Sequence, residues 1–243
     1  MTIGRLTSRA VIRVSPTDKN ENAAAFLQGL LTNDVTGATP VYAGLLTPQG
    51  KAMFDMFVWR DGPDILLDCD RDRVDDLVKR LSLYRLRRKI DIAVDPDLGV
   101  SWSTDSFDAA SADPRFAALG YRCVGKPVEG MKSVDGEYVA HRLSLGVAEG
   151  FDELGEILWL ETNAAELNGV SFAKGCYIGQ ENTARMNWRS KVNRRLVVVP
   201  LDRSEEKRRK AAFPDLGLAV DHLRVPDIPA DLVPAWMTLE TES

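Results

Sequence analysis

The run Lys174-Gly175-Cys176-Tyr177-Ile178-Gly179-Gln180-Glu181 sets a thiol among glycines, with a lysine two positions before it. Glycine permits backbone conformations and close approaches that other residues resist, so the segment reads as a loop that presents Cys176. Thiols bind metals and attack electrophiles as thiolates, and a lysine that faces the sulfur favours that form. Gln180 and Glu181 add an amide and a carboxylate, suited to an amide, a pterin-like edge or the end of a following helix. The competing reading is a structural cysteine buried in a glycine turn, because free cysteines are commonly core residues. From the octapeptide alone both readings stand. Cys69 and Cys123 lie far off in the sequence, and three scattered cysteines form neither a disulfide framework nor a self-sufficient zinc site. His141 and His222 are also far apart, which excludes a His-rich centre unless a partner or cofactor supplies ligands.

Other residues invite chemistry less strongly. Asp75, in Asp72-Arg73-Val74-Asp75-Asp76, falls at the head of a helix, where acidic residues ordinarily cap or complement the dipole. Arg85, Arg87, Arg88 and Lys89 crowd the end of the same helix, again as the dipole favours. Arg185, Arg189, Lys191, Arg194 and Arg195 form a second basic cluster, either a plain solvated surface or a dock for an acidic partner, a polyglutamate tail or RNA. Trp188 is placed to stack on a planar ligand or to join the core. Gly44 to Lys51 is no phosphate loop: five residues separate Gly44 from Gly50 where four are required, and Ala52 replaces the hydroxyl residue.

The elements that must position these groups alternate between strand and helix periods. Residues 9–14, 41–47, 52–59, 65–69 and 90–94 read as strands, and 21–35 and 71–88 as helices, giving a β-α-β-β-β-α-β order of ferredoxin-like type. From Ser101 to Gly136 the pattern loosens; 138–147 and 163–167 read as helices, and 195–201 and 216–220 as strands, before a proline-rich tail. The fold class is therefore α+β.

A chain of 243 residues, 44% hydrophobic and 28% charged, is long enough for a sizeable core. It has no apolar run near the ~20 residues that span a bilayer, so no membrane partner is expected. The formal charge of −5 argues against nonspecific coating of nucleic acid, since phosphate binding is carried by Lys and Arg. Met1-Thr2-Ile3-Gly4-Arg5 lacks the order of a secretory signal, which makes cytoplasmic residence the default expectation.

The octapeptide resembles the K-G-C-Y-x-G-Q-E signature of the YgfZ family of folate-binding proteins, relatives of the glycine-cleavage T-protein. Phe26 to Val35, Leu45 to Lys51, Leu83 to Lys89, Arg142 to Gly150, Asn168 to Phe172 and Ala184 to Met186 resemble segments of that family in the same order, so the similarity covers roughly residues 5–201. The resemblance implies a T-protein-like (GcvT-like) fold, with ferredoxin-like lobes around a central channel that holds a reduced folate. It assigns residues 1–193 to that domain and 194–243 to a shortened C-terminal β-barrel remnant. Only two convincing strands are legible there, whereas six would need roughly 55 residues with turns.

What the resemblance implies for function is a folate-binding accessory protein that supports assembly or repair of iron–sulfur enzymes, notably those that modify tRNA, and that acts under oxidative stress. Cys176 becomes the functional residue. Lys174, Gly175, Tyr177, Gly179, Gln180, Glu181, Gln49, Arg87 and Trp188 become candidates for binding tetrahydrofolate, with Arg87 as a clamp for its glutamate tail and Gln49 on a hairpin tip near the channel. One thiol cannot ligate a cluster that needs about four ligands, so any iron–sulfur species is shared with a carrier or client protein. The rivals are a tetrahydrofolate-dependent aminomethyltransferase or demethylase using Asp75 or Glu181, and a scaffold with a structural thiol.

Overall fold

Strand Ala52–Asp61 shows how the sequence builds the core. Phe54, Met56 and Val58 point to one face, Asp55, Phe57 and Trp59 to the other, and most of them are buried because both faces of the sheet are covered. The computed structural model describes residues 3–188 and 192–239. In chain order the elements are β1 (Gly4–Leu6), β2 (Arg9–Pro16), α1 (Ala23–Gln28), β3 (Val41–Leu46), β4 (Ala52–Asp61), β5 (Asp64–Asp70), α2 (Val74–Arg85), β6 (Ile90–Val94), β7 (Gly99–Ser103), β8 (Ser111–Ala112), β9 (Tyr121–Gly125), α3 (Asp135–Ser144), α4 (Phe151–Leu154), α5 (Gln180–Trp188), β10 (Arg194–Pro200), β11 (Arg209–Phe213) and β12 (Leu218–Arg224).

The first sheet is antiparallel with order β3-β4-β5-β2-β6, a ferredoxin-like arrangement with β3 added at one edge. One face takes α1 and α2: Ile12, Val14, Met56, Val58, Ile65 and Leu67 meet Phe26, Leu27, Leu77 and Leu81. The opposite face, through Val11 and Leu66, packs on a second sheet of order β1-β7-β9-β8 and on α3. β10-β12-β11 form a third sheet.

Between the first two sheets lies a sealed ionic network. Arg9 bonds Asp68 at 2.6 Å, Arg122 reaches the other oxygen of Asp68 at 2.7 Å, and Arg115 reaches Glu149 at 2.6 Å and Asp113 at 2.8 Å. The Tyr138 hydroxyl accepts from both Arg115 and Arg122 and donates to Glu149. Burial would raise the carboxyl of Glu149, yet Arg115, Arg9 and Arg122 hold it well below the ordinary range, so it stays ionised.

Several boundaries differ from the sequence reading. The helix expected over 21–35 is confined to 23–28, capped by the Asn22 side chain at the Ala25 N–H. β7 and β9 occupy the stretch that looked irregular, because short Ser- and Gly-containing strands carry little period-2 signal. No helix covers 163–167; a 3-10 turn at 159–162 precedes it. The C-terminal region has three strands, since β11 hides in a charged segment.

Candidate functional site

Lys174 anchors the signature loop. Its ammonium donates to the carbonyls of Gln28 (2.7 Å), Leu31 (2.5 Å) and Asn33 (3.0 Å), which turn toward it instead of continuing the helical ladder of α1. Burial lowers the lysine to about 8, opposed by Asp34. With its three N–H bonds committed to carbonyls, Lys174 is a clamp for the loop and not a group turned on the thiol.

Gly179 fixes the other end. It lies at φ +79°, and a Cβ there would meet the Thr47 carbonyl oxygen at 2.5 Å and Gly50 Cα at 3.0 Å, so the loop runs against the β3–β4 turn backbone to backbone. Gly50, at φ +80°, closes the contact from the other side. Asn182 Nδ2 then donates to the Gln49 carbonyl at 2.8 Å, and Thr183 Oγ1 to the Gly179 carbonyl at 3.2 Å, which seats the first turn of α5. Tyr177 and Ile178 face different cores: the former joins Trp159 and Leu46, the latter the α1/α2 cluster.

Between these fixings Cys176 is exposed, whereas Cys69 is buried and Cys123 half-buried. Burial pushes the Cys69 thiol up to about 12 and raises that of Cys123 as well. Among the three, Cys176 is thus the thiol presented to solvent on a braced loop.

The structure divides the remaining candidates. Lys174, Gly175, Cys176, Tyr177, Gly179, Gln180 and Glu181 come together with the hairpin tip at Gln49, which contributes its carbonyl. Gly175 has open space about its Cα, so only Gly179 is sterically required to be glycine. Glu181 is exposed in the first turn of α5, and Trp188 at its end is 85% exposed and stacks on no ring among the described residues. Arg87 is exposed at the α2–β6 turn beside Leu86 and the Arg88–Glu21 ion pair, and no hydrogen bond or ion pair among the described residues joins it to the signature. Asp75 is exposed in the first turn of α2. In the second basic cluster Arg195 is buried against Glu166 (2.8 Å), Arg185 is exposed, and Arg189 and Lys191 lie outside the described residues.

Sequence reading missed a second constellation, at one end of β4 and β5. Asp55 is buried, accepts from the Tyr42 hydroxyl (3.2 Å) and the Gly150 N–H (3.3 Å), and is raised by burial and by neighbouring Glu149. Close by, the Arg73 guanidinium lies 3.9 Å from the Phe151 ring centroid and 5.1 Å from that of Phe54. The legible hint was Arg73 itself, a cation at a helix start where the dipole favours anions.

No family model matches the chain. It is 37% identical over 237 residues to the human protein named iron-sulfur cluster assembly factor IBA57, mitochondrial, covering 80% of this chain and 65% of that one. The mouse protein of the same name is 33% identical over 240 residues (82% and 66%), and the Mycosarcoma maydis homolog 35% over 229 residues (80% and 56%). The chain spans less than two thirds of the length of each of these relatives. Among solved structures, the glycine cleavage system aminomethyltransferase T from Bartonella henselae superposes with a TM-score of 0.67 at 10% identity, over 93% of this chain and 78% of that one. The chain therefore has the T-protein-like fold that the resemblance implied. The cytoplasmic expectation is overturned, because these relatives are named as mitochondrial proteins. That expectation rested on bulk composition and a few leading residues, and the composition of a folded domain carries no address.

Proposed function

We propose that this chain is an accessory protein of iron–sulfur assembly or repair, of YgfZ type, which offers Cys176 as one ligand to a cluster whose other ligands come from a carrier or client protein. The observation that carries this reading is the exposed thiol on a loop braced at both ends by Lys174 and Gly179. A ligand held on a rigid support loses little freedom on binding, and the thiol proton is released as the sulfur takes iron. One thiol supplies one of about four ligands, so the cluster is cargo bridging two proteins. Among the described residues no group of three or more His, Cys, Asp or Glu is arranged to hold a metal ion. We take residues 194–243 as a shortened C-terminal unit that braces the 159–166 segment through Asn163, bonded to the Leu196 carbonyl, and through Arg195.

Tetrahydrofolate is the cofactor the fold family implies. The cavity at the junction beside Asp55 measures ≈ 10 Å³, about one water at most, whereas small-molecule sites run from about 300 Å³ upward. With Arg73 in place a pterin does not fit there, and the proposed role of Cys176 uses no folate.

The test is complementation. Cys176→Ala should fold normally yet fail to restore iron–sulfur enzyme activity to a deficient cell, and should no longer form a visible-absorbing complex with a cluster-loaded carrier. Full rescue by the variant would make the thiol structural and overturn the reading.

A further inference from the structure

A cavity of ≈ 1210 Å³ lies where the end of α5, the 160–166 segment and the start of β10 meet the tail that follows β12. Small-molecule sites run from about 300 to 1,000 Å³, so it has room for a ligand of that class. Aliphatic side chains supply much of its wall, among them Leu160, Val225, Ile228, Val233 and Leu239, and no aromatic ring among the described residues borders it. Its charged groups are three arginines, Arg194, Arg195 and Arg224, against one carboxylate, Glu166.

Glu166 is already committed to Arg195, at 2.8 Å. Arg195 is only 7% exposed, and its Nε is buried with no hydrogen-bond partner, a donor on the wall that protein does not satisfy. Arg194 and Arg224 stand directly opposite each other across β10 and β12. Like charges so placed destabilise a strand pair, and among the described residues neither arginine has an ion-pair partner to relieve the repulsion. The site is therefore short of negative charge at one part of its wall and of apolar contacts at another. A planar heterocycle would find no ring to stack on. A polyanion such as a glutamate chain would meet the arginines but leave the aliphatic wall against water.

We propose that this cavity binds a long-chain aliphatic carboxylate, with the chain along the aliphatic wall and the carboxylate on Arg194 and Arg224. Guanidinium groups take a carboxylate through paired N–H bonds, and an anion between the two arginines removes their mutual repulsion. The site is distinct from the signature loop, and the inference does not depend on the role of Cys176.

Calorimetry on the full chain tests it with dodecanoate, kept below the concentration at which it forms micelles. Dodecanoate should bind the wild type at least about tenfold more tightly than octanoate, since each methylene buried adds up to about fourfold. Dodecyltrimethylammonium, with the same chain and the opposite charge, should bind at least about tenfold more weakly than dodecanoate. Two variants separate the two halves of the site. Arg194→Ser with Arg224→Ser removes the cations from half-buried and exposed positions, and Ala230→Trp fills the cavity from an exposed position on its wall. Each should weaken dodecanoate at least about tenfold while an unchanged melting temperature shows that the fold is kept. The proposal is overturned if the wild type fails to bind dodecanoate, if dodecyltrimethylammonium binds as tightly, or if either folded variant keeps full affinity. None of these results bears on cluster binding at Cys176, which complementation reads separately.

Discussion

Replacing Gly179 by alanine is the sharpest test of how the signature loop is held. At φ +79° a side chain costs ~1–2 kcal/mol from backbone sterics alone. The new Cβ would also stand 2.5 Å from the Thr47 carbonyl oxygen and 3.0 Å from Gly50 Cα, both backbone atoms, and overpacking of this kind costs ~1–3 kcal/mol. The sum is about 2–5 kcal/mol, a large part of the ~5–15 kcal/mol by which domains are ordinarily stable. Gly50→Ala serves as the control: it shares the positive φ, but its nearest contact is the Gly179 carbonyl at 3.2 Å, so it should lose less. Urea unfolding followed by tryptophan fluorescence gives both values. A Gly179→Ala protein within about 0.5 kcal/mol of the wild type would refute the close-approach argument, as that is the range of uneventful surface changes. Equal losses in the two variants would refute the clash while leaving the φ argument intact.

Lys174→Met should destabilise by about 2–4 kcal/mol, since hydrogen bonds to a charged group contribute ~1.5–3 kcal/mol and three carbonyls lose their donor; protease cleavage near residues 28–33 should rise with it. With Ellman's reagent the native protein should show one fast thiol, Cys176, with Cys123 slower and Cys69 released only on unfolding; two fast thiols would contradict the burial. Acid titration should expose Asp135. Burial would raise its carboxyl, but the hydroxyls of Ser133, Ser8 and Thr7 bring it down to about 2, so its contribution is complete above about pH 4 and fades as pH falls toward 2. Asp135→Asn should flatten that part of the stability curve, and an unchanged slope would count against the assignment.

The strands of the first sheet and helix α2 were legible because their apolar periods are long and unbroken. What failed is instructive in its causes. The run from Glu21 to Val35 has helical spacing, yet the carbonyls of Gln28, Leu31 and Asn33 answer to an ammonium more than 140 residues away, and tertiary bonding overrides local propensity. Within the octapeptide the two glycines looked alike; only the neighbouring turn distinguishes Gly179, pressed on Thr47, from Gly175, in open space. Arg87 and Trp188 were candidates for a folate ligand, and no sequence window shows that the fold carries both to exposed positions at the ends of α2 and α5. The constellation around Asp55 and Arg73 left only the hint of a cation at a helix start, because its walls come from β4, β5 and α4, which no sequence window contains together.

The Lys174 clamp also bears on the order in which the molecule is made. Its acceptors lie 141 to 146 residues before it, and synthesis runs from the N-terminus at a few to some tens of residues per second, so the first sheet emerges long before its anchor. Until Lys174 arrives, three carbonyls at and just after the end of α1 lack the donor they finally use. Contacts of such separation form late because the intervening loop must be closed first. The segment that carries the thiol is therefore also the one that completes the first lobe, and a chain interrupted before it loses the reactive group and the finished fold together.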